Sequence, residues 1–301
     1  MPAELYIGTS SWAEQALVDS GRFYPDDVKD TPARLEFYSR HFNFAEIDST
    51  YYALPSKKNI QRWTDSVPQV FRFNVKAFAL FTQHPTRLSS IPKSFHESLP
   101  ENVLKKARTY YKDVPAEVRD ELWGIFRGAL KPMREAGTLG AVLIDFPPWF
   151  VPSAANREYL AHAREYLPDD NVIVEFRNRL WVEDDADAAS TFDLLRNLNC
   201  GFVCVDEPAG LKTSFPPAVA TTAATAAVRF RGRNAKRWED KKATTLERFD
   251  WLYSEKELSE WLPRIEQLRA ESDSLYLGFS TKADDQGVAN AAHLKKLLGL
   301  P

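Results

Sequence analysis

The sequence predicts an α/β fold, a single (β/α)8 TIM-barrel-like domain, and three features carry that prediction. Eight short apolar runs recur along the 301 residues. Segments of helical period separate them, and such alternation favours a parallel sheet because parallel strands need a crossover that a helix supplies well. Charged residues gather at the ends of the runs, where eight strands closing on themselves would bring them to one mouth.

The first run, Leu5 to Gly8, leads to Thr9 and Trp12. A helix is expected over Ala33 to Phe42, opened by the cap-like Thr31 before Pro32. The second run, Phe44 to Ile47, holds Glu46 and ends at Asp48, and a helix over Ser56 to Ser66 follows Pro55. The third run, Val70 to Val75, ends at Lys76. Ala79 to Pro115 is then a long insertion, rich in Pro, Ser and charge, and is either a lid over the mouth or a solvated excursion. Helical period returns over Ala116 to Ala136, before the run Leu139 to Ile144 and Asp145. Next come a helix over Ala155 to Tyr166, the run Val172 to Val174, and Glu175 with Arg177. A helix over Ala186 to Leu198 precedes the run Gly201 to Val205 and Asp206. Pro216 to Ala227, mostly Ala and Thr, suits a plain connection into the seventh run, Ala226 to Phe230, which carries Arg229 and leads to Arg231. Ser254 and Glu257 are spaced as a capping box for a helix over Glu255 to Glu271. The eighth run, Leu275 to Phe279, meets Ser280, and a last helix covers Val288 to Leu298.

Barrels of about 250 residues fold as one domain, so a single domain over 1–301, with 79–115 as its insertion, is expected. A composition 44% hydrophobic and 27% charged fills a sizeable core, and a net charge of −3 provides no general field for a polyanion. Met1-Pro2-Ala3-Glu4 runs straight into the first strand without a secretory signal. No apolar run approaches the roughly 18 residues that span a bilayer, so a cytoplasmic protein with no membrane partner is expected. Cys200 and Cys204, four apart beside or within a strand, are too far apart for an unstrained disulfide and lack further zinc ligands. They read as core thiols.

Gly8-Thr9-Ser10-Ser11-Trp12, Phe23-Tyr24-Pro25, Glu46-Ile47-Asp48-Ser49-Thr50-Tyr51-Tyr52 with Pro55, Trp63, Phe71 and Phe73 before Lys76, and Thr82-Gln83-His84 stand in a telling order. Their spacing resembles the N-terminal half of the YecE-like family, also called domain of unknown function 72. The likeness continues through Phe146-Pro147-Pro148, Glu175-Phe176-Arg177 with Trp181, Asp206, Arg229-Phe230, Gly232-Arg233 and Trp238, and fades towards the C-terminus. The resemblance implies a TIM-barrel-like fold and a cleft at the strand ends, with no reaction attached. This chain departs from the family's usual Gln at Asp145, His at Asn178 and Arg231, and paired Asn at Ser280 and Thr281. Three sides of the mouth therefore differ, and Ser89 to Pro115 is longer than in many relatives.

In such barrels the chemistry sits at the C-terminal strand ends, which nominates Glu46, Lys76, Asp145, Glu175, Asp206 and Arg229. Charges converging in one pocket shift each other's pKa values and make acids and bases usable near neutrality. Glu175 and Arg177, two along a strand, would share a face, and the Arg would keep the Glu ionised as a base or metal ligand. Lys76 would meet an anionic substrate or a carboxylate. Asp145 and Asp206 fit a plain turn or cap role better than a chemical one. His84 is the only one of the five histidines near a predicted mouth, and no short metal-binding spacing occurs. No cofactor is expected on that reading, with a divalent metal left open.

Arg229 to Lys242 holds Arg229, Arg231, Arg233, Lys236, Arg237, Lys241 and Lys242 around Trp238. Loops after the seventh and eighth strands are the usual phosphate sites of these barrels, while interleaved Trp and Arg also suit a flipped base or single strand; a solvated basic loop is the plain alternative. Trp12, Tyr51, Tyr52, Phe146, Trp149 and Trp181 would ring the mouth or cap the core. Ser10 and Ser11 lack a nucleophile elbow, and no dinucleotide fingerprint or P-loop is present.

The expected function is an enzyme of hydrolase or isomerase/lyase type acting by acid/base chemistry on a small anionic, phosphate-bearing substrate. Glu46, Glu175 and Lys76 would be catalytic, with Trp12, Tyr52, His84, Asp145, Arg177, Asp206, Arg229, Arg233 and Trp238 around the substrate. Two other classes stay open: a nucleic-acid-binding or processing protein using 229–242, whose affinity would fall steeply with salt, and a non-catalytic small-ligand binder.

Overall fold

Eight parallel strands close into a barrel in the structure, a computed structural model that describes residues 2–300. They are β1 (Glu4–Thr9), β2 (Phe44–Ile47), β3 (Arg72–Lys76), β4 (Leu139–Asp145), β5 (Val172–Glu175), β6 (Cys200–Asp206), β7 (Thr225–Phe230) and β8 (Ser274–Phe279). Each pairs with its neighbours in sequence, and β8 closes the ring on β1 with Glu4 opposite Ser274 and Thr9 opposite Phe279. Seven longer helices lie outside: α1 (Thr31–Ser39), α2 (Lys57–Asp65), α3 (Ala116–Ala129), α4 (Ala154–Glu165), α5 (Asp185–Asn197), α6 (Leu262–Glu271) and α7 (Gln286–Leu297). Among the described residues no helix joins β6 to β7, and 207–224 is the plain connection expected from its Ala and Thr content. None of the helices is long and apolar enough to cross a membrane.

The caps follow side-chain chemistry. Ser56 accepts from Asn59 N, and Ser254 and Glu257 form the expected capping box. At α1 the cap is Asp30, which accepts from Ala33 N, so Thr31 is the first helical residue and Pro32 sits harmlessly in the first turn. Two expected helices are each divided, at Leu130 and at Glu260–Trp261. The cause is the same in both: Pro132 and Pro263 have no N–H to continue a helix and instead stand in the first turn of a new one. The insertion is not a solvated excursion. Short 3-10 turns and a two-residue antiparallel ladder, Thr86–Arg87 with Arg108–Thr109, fold Ile91, Phe95, Leu99, Val103, Tyr111 and Val114 inward as buried anchors.

Strand phase decides which side chains enter the barrel, because parallel partners in register share a face. The inward chain of partners runs Gly8–Phe44 and Gly8–Gly278, then Gly278–Arg229 and Arg229–Val205. It also includes Glu46–Asn74, Lys76–Leu143 and Asp145–Glu175. The pairing of β3 with β4 slips after Phe73, which faces Leu139 while Asn74 faces Ala141. Gly140 is the extra residue, and a Cβ there would lie 2.7 Å from both Asn74 Oδ1 and the Tyr276 hydroxyl. This bulge resets the phase of β4 and turns Asp145 into the barrel.

Candidate functional site

The inward residues at the C-terminal ends of the strands build a buried layer of guanidinium, ammonium and carboxyl groups. Arg229, 5% exposed, donates through one terminal nitrogen to Glu175 Oε2 at 2.6 Å and through the other to Glu46 Oε1 at 2.5 Å. Arg231 donates to the second oxygen of Glu175 and lies 3.5 Å from Glu207. Asp145, 1% exposed, takes Lys76 Nζ at 2.8 Å and a two-pronged bond from Arg177, with Nε at 2.7 Å and the terminal nitrogen at 2.5 Å. Asp48 lies between Lys76 at 3.8 Å and Lys282 at 3.9 Å.

The pairing differs from the sequence expectation: Arg177 holds Asp145, while Glu175 belongs to Arg229 and Arg231. Arg177 lies past the end of β5, where the strand no longer pairs, so sharing a face does not make the two residues partners. Asp145 is likewise not a turn residue; the Gly140 bulge places it at the centre of the cation cluster.

Asp206 departs in the other direction. Its register partner is Phe230, and both point outward to the helices. There its oxygens accept from Arg233 at 2.9 and 2.6 Å, from the Tyr253 hydroxyl at 2.6 Å and from Trp261 Nε1 at 2.6 Å. Arg233 and Asp206 therefore form an outer node, with Glu260 2.7 Å from Arg233; together with Glu207, the next residue, which turns towards Arg231, they line a separate cleft of about 300 Å³. Gly232 divides the two arginines. Its φ of 89° turns the chain so that Arg231 faces the mouth and Arg233 the outer node, and a Cβ there would strike Trp251 at 2.6 Å.

The mouth holds a pocket of about 200 Å³. Its walls bring together Lys76, His84, Asp145, Arg177, Arg229 and Tyr52 from the expected set, and add Asp48, Tyr51, Arg231, Phe249, Ser280 and Lys282. Glu46 and Glu175 lie beneath the wall, holding its guanidinium groups. Trp12 is buried edge-on against Trp63 and Phe73, and Phe146 and Trp181 stack outside the barrel with Phe150 and Phe176. The expected aromatic ring thus reduces to Tyr51, Tyr52 and Trp149. Trp238 packs on Phe249, outside the pocket wall. The basic segment also disperses: Arg229 and Arg231 turn in, Arg233 goes to Asp206, Arg237 pairs with Asp240, and Lys236, Lys241 and Lys242 are exposed. The insertion supplies only His84 to the wall.

His84 is positioned by a strained turn. Gln83 takes φ 62°, left-handed for a residue with a side chain, and returns the chain so that His84 Nδ1 lies 2.8 Å from Thr82 Oγ1. The Thr82 hydroxyl is also within 3.1 Å of the Ala79 carbonyl, which can only accept. With the hydroxyl hydrogen on that carbonyl, Nδ1–H is the donor to Thr82 and Nε2 keeps its lone pair. Tyr51 and Trp149 flank the ring edge-on at 5.2 and 5.8 Å.

Burial and the wall's charges set the protonation states. Burial, with Arg177 and Lys76 nearby, drives His84 down to about 4, so the imidazole is neutral near pH 7. Burial pushes Glu46 up to about 8, helped by the Asp48 charge and opposed by Arg229. Although burial opposes it, the Arg177, Lys76 and Arg231 charges hold Asp145 well below the usual carboxylate range. Burial raises the Cys200 and Cys204 thiols to about 12, and both are free and inert in the β6 core. Among the described residues no three His, Cys, Asp or Glu side chains converge to hold a metal ion.

The sequence pointed to Asp48 as a strand-end charge without a role and to Arg231 as a strand-end cation of the basic run 229–242, and it gave no signal for Lys282 or Phe249, which follow β8 and the loop after β7. The one available signal was phase, since Arg231 and Glu207 each stand two residues beyond an inward position.

Comparison with known proteins places this architecture among relatives. The family model described as protein of unknown function DUF72 matches residues 6–301. A UPF0759 protein, YunF of Bacillus subtilis, is 25% identical over 300 residues, covering 98% of this chain and 95% of the relative. UPF0759 protein YecE of Escherichia coli K12 is 35% identical over 72 residues, about a quarter of each chain. Among solved structures, a DUF72 family protein from Thermotoga maritima superposes with a TM-score of 0.76 at 29% identity, covering 98% of this chain and 99% of that one. One from Enterococcus faecalis gives 0.75 at 20% identity over 100% and 99%.

Proposed function

The chain belongs to the DUF72 family, of unknown function, and from that premise we propose that its barrel mouth is the site of an enzyme acting by acid/base chemistry on a small oxyanion-bearing, phosphate-type substrate. One observation carries the reading. Five cations, Lys76, Arg177, Arg229, Arg231 and Lys282, and two carboxylates, Asp48 and Asp145, line the pocket wall, with Glu46 and Glu175 beneath, so the wall itself favours an anion. On the same wall the buried Ser280 hydroxyl has no partner among the described residues, and rotation about its single χ1 would offer it to an oxyanion. A volume of about 200 Å³ lies below the roughly 300–1,000 Å³ of pockets for drug-sized ligands, which suits a phosphorylated molecule of a few carbons.

Within this reading Lys76, Arg177, Arg229, Arg231 and Ser280 bind the anion. Glu46 and Glu175 position the arginines rather than touch the ligand. His84 is the proton acceptor, because an anion that offsets Arg177 and Lys76 raises its pKa from about 4 towards the working range. Binding is then coupled to proton uptake.

The test is titration calorimetry with inorganic phosphate and phosphosugars in two buffers of different ionisation heat. We expect binding with net proton uptake, binding without that uptake in His84→Phe, and loss of binding in Lys76→Met. If no oxyanion binds the wild-type protein, the reading is wrong. If phosphosugars bind tightly but none is converted, the site is that of a non-catalytic binder.

A further inference from the structure

A second cleft of about 610 Å³ shares Tyr51 and Tyr52 with the mouth pocket and is walled by the insertion through Ala79, Ser90, Arg87 and Arg108. Arg87 and Arg108 face each other directly in the antiparallel ladder. Directly opposed residues project to the same face with Cβ atoms about 5 Å apart, and like charges there destabilise the pair. Both arginines are exposed, both line the cleft, and neither has an acidic partner among the described ion pairs. The Arg108 charge reaches the Tyr51 phenol, so this arginine stands within electrostatic range of the ring shared by both cavities. Tyr52, 70% exposed, presents an open ring along the path between them.

We propose that Arg87 and Arg108 form a second anion subsite, and that the ligand of the mouth is an elongated bis-anion, one group among Lys76, Arg177 and Arg231 and the other between these two arginines. This rests on the mouth being an oxyanion site. A local repulsion between two guanidinium groups with no carboxylate to relieve it is what a second phosphate or carboxylate would neutralise, with paired donors suited to its oxygens. Tyr51 and Tyr52 would then support the apolar or sugar-like middle of the ligand.

The probes are α,ω-alkanediol bisphosphates of increasing chain length and the matching monophosphates, titrated into wild-type protein and into the Arg87→Gln/Arg108→Gln double variant. At one chain length the bisphosphate should bind about tenfold or more tighter than its monophosphate, as a second charge-assisted contact predicts. The double variant should lose that gain, keep monophosphate binding, and melt no lower than wild type because a repulsion is relieved. Equal binding of bis- and monophosphate at every length, or a gain that survives the double substitution, overturns the second subsite alone. Absence of monophosphate binding overturns the mouth reading and this inference with it.

Discussion

Asp145→Asn should move stability and anion affinity in opposite directions. Asp145 is 1% exposed and is the shared acceptor of Lys76 at 2.8 Å and of Arg177 through two bonds. The amide keeps the shape but removes the charge, leaving Lys76 and the part-exposed Arg177 without their shared counter-ion. Breaking a buried pair in this way costs about 3–5 kcal/mol. Arg177 is part-exposed and Lys76 keeps Asp48, so the lower end applies; at about 2 °C of melting temperature per kcal/mol for a domain of this size, the loss is about 6 °C. The same substitution removes a negative charge from the pocket wall. At an effective dielectric of about 20 and a separation of about 6 Å, a unit repulsion is worth about 3 kcal/mol, and with half lost to rearrangement phosphate should bind about tenfold tighter. Differential scanning calorimetry with and without phosphate reads both: the variant melts lower alone and gains more from phosphate than wild type does. A variant that is no less stable, or that binds phosphate no tighter, refutes the argument that Asp145 both anchors the cations and limits the wall's charge.

Other consequences are simpler. Asp206→Asn should lower the melting temperature by less than Asp145→Asn does, since Arg233 keeps Glu260, yet leave phosphate titrations unchanged because that node faces away from the mouth. Glu46→Gln should flatten the pH dependence of stability between about pH 4.5 and 8, seen by urea unfolding at several pH values. The native state holds the Glu46 proton up to about 8 and the unfolded chain releases it near 4.5, so stability falls with rising pH across that window, and the glutamine removes the slope. Gly140→Ala should cost about 1–3 kcal/mol, because the added methyl meets Asn74 and Tyr276 at 2.7 Å in a filled barrel; a silent substitution would show that the bulge is pliable.

The barrel was legible because its strands are apolar runs bounded by charge, a pattern that survives burial on both faces. Helix ends were less so: Pro132 and Pro263 divide segments whose apolar period runs on through them. Within the site, Lys76, Arg177 and Arg229 were found by position alone. What position could not supply was phase. Asp206 and Glu207 are neighbours, and only the inward partner of Arg229, Val205, shows that Glu207 turns towards Arg231 while Asp206 turns towards Arg233, Tyr253 and Trp261. Asp145 was read as a turn because an Asp just past an apolar run is often a turn or cap residue, and the extra residue at Gly140 that inverts the alternation of β4 has no signature stronger than a glycine. Glu175 and Arg177 were paired because they are close in sequence, whereas a closed barrel brings Arg229, from β7, nearer to Glu175 than Arg177 is.

Two buried carboxylates, Asp145 and Asp206, end strands at the same end of the barrel, and their surroundings differ in one respect. Every acceptor of Asp206 is used, by Arg233, Tyr253 and Trp261, as a structural network requires. The mouth leaves a donor over, Ser280 Oγ, 4% exposed and without a partner among the described residues. Ser280→Ala separates a structural from a ligand-directed hydroxyl. If the hydroxyl has no partner until an anion arrives, its removal relieves a desolvated group and should raise stability by about 1 kcal/mol, or about 2 °C. Phosphate affinity should fall about tenfold with the lost charge-assisted bond. A hydroxyl that already served the fold would give the reverse pattern, a lower melting temperature with unchanged affinity, and the unfilled donor of the mouth would then have to be explained without a ligand.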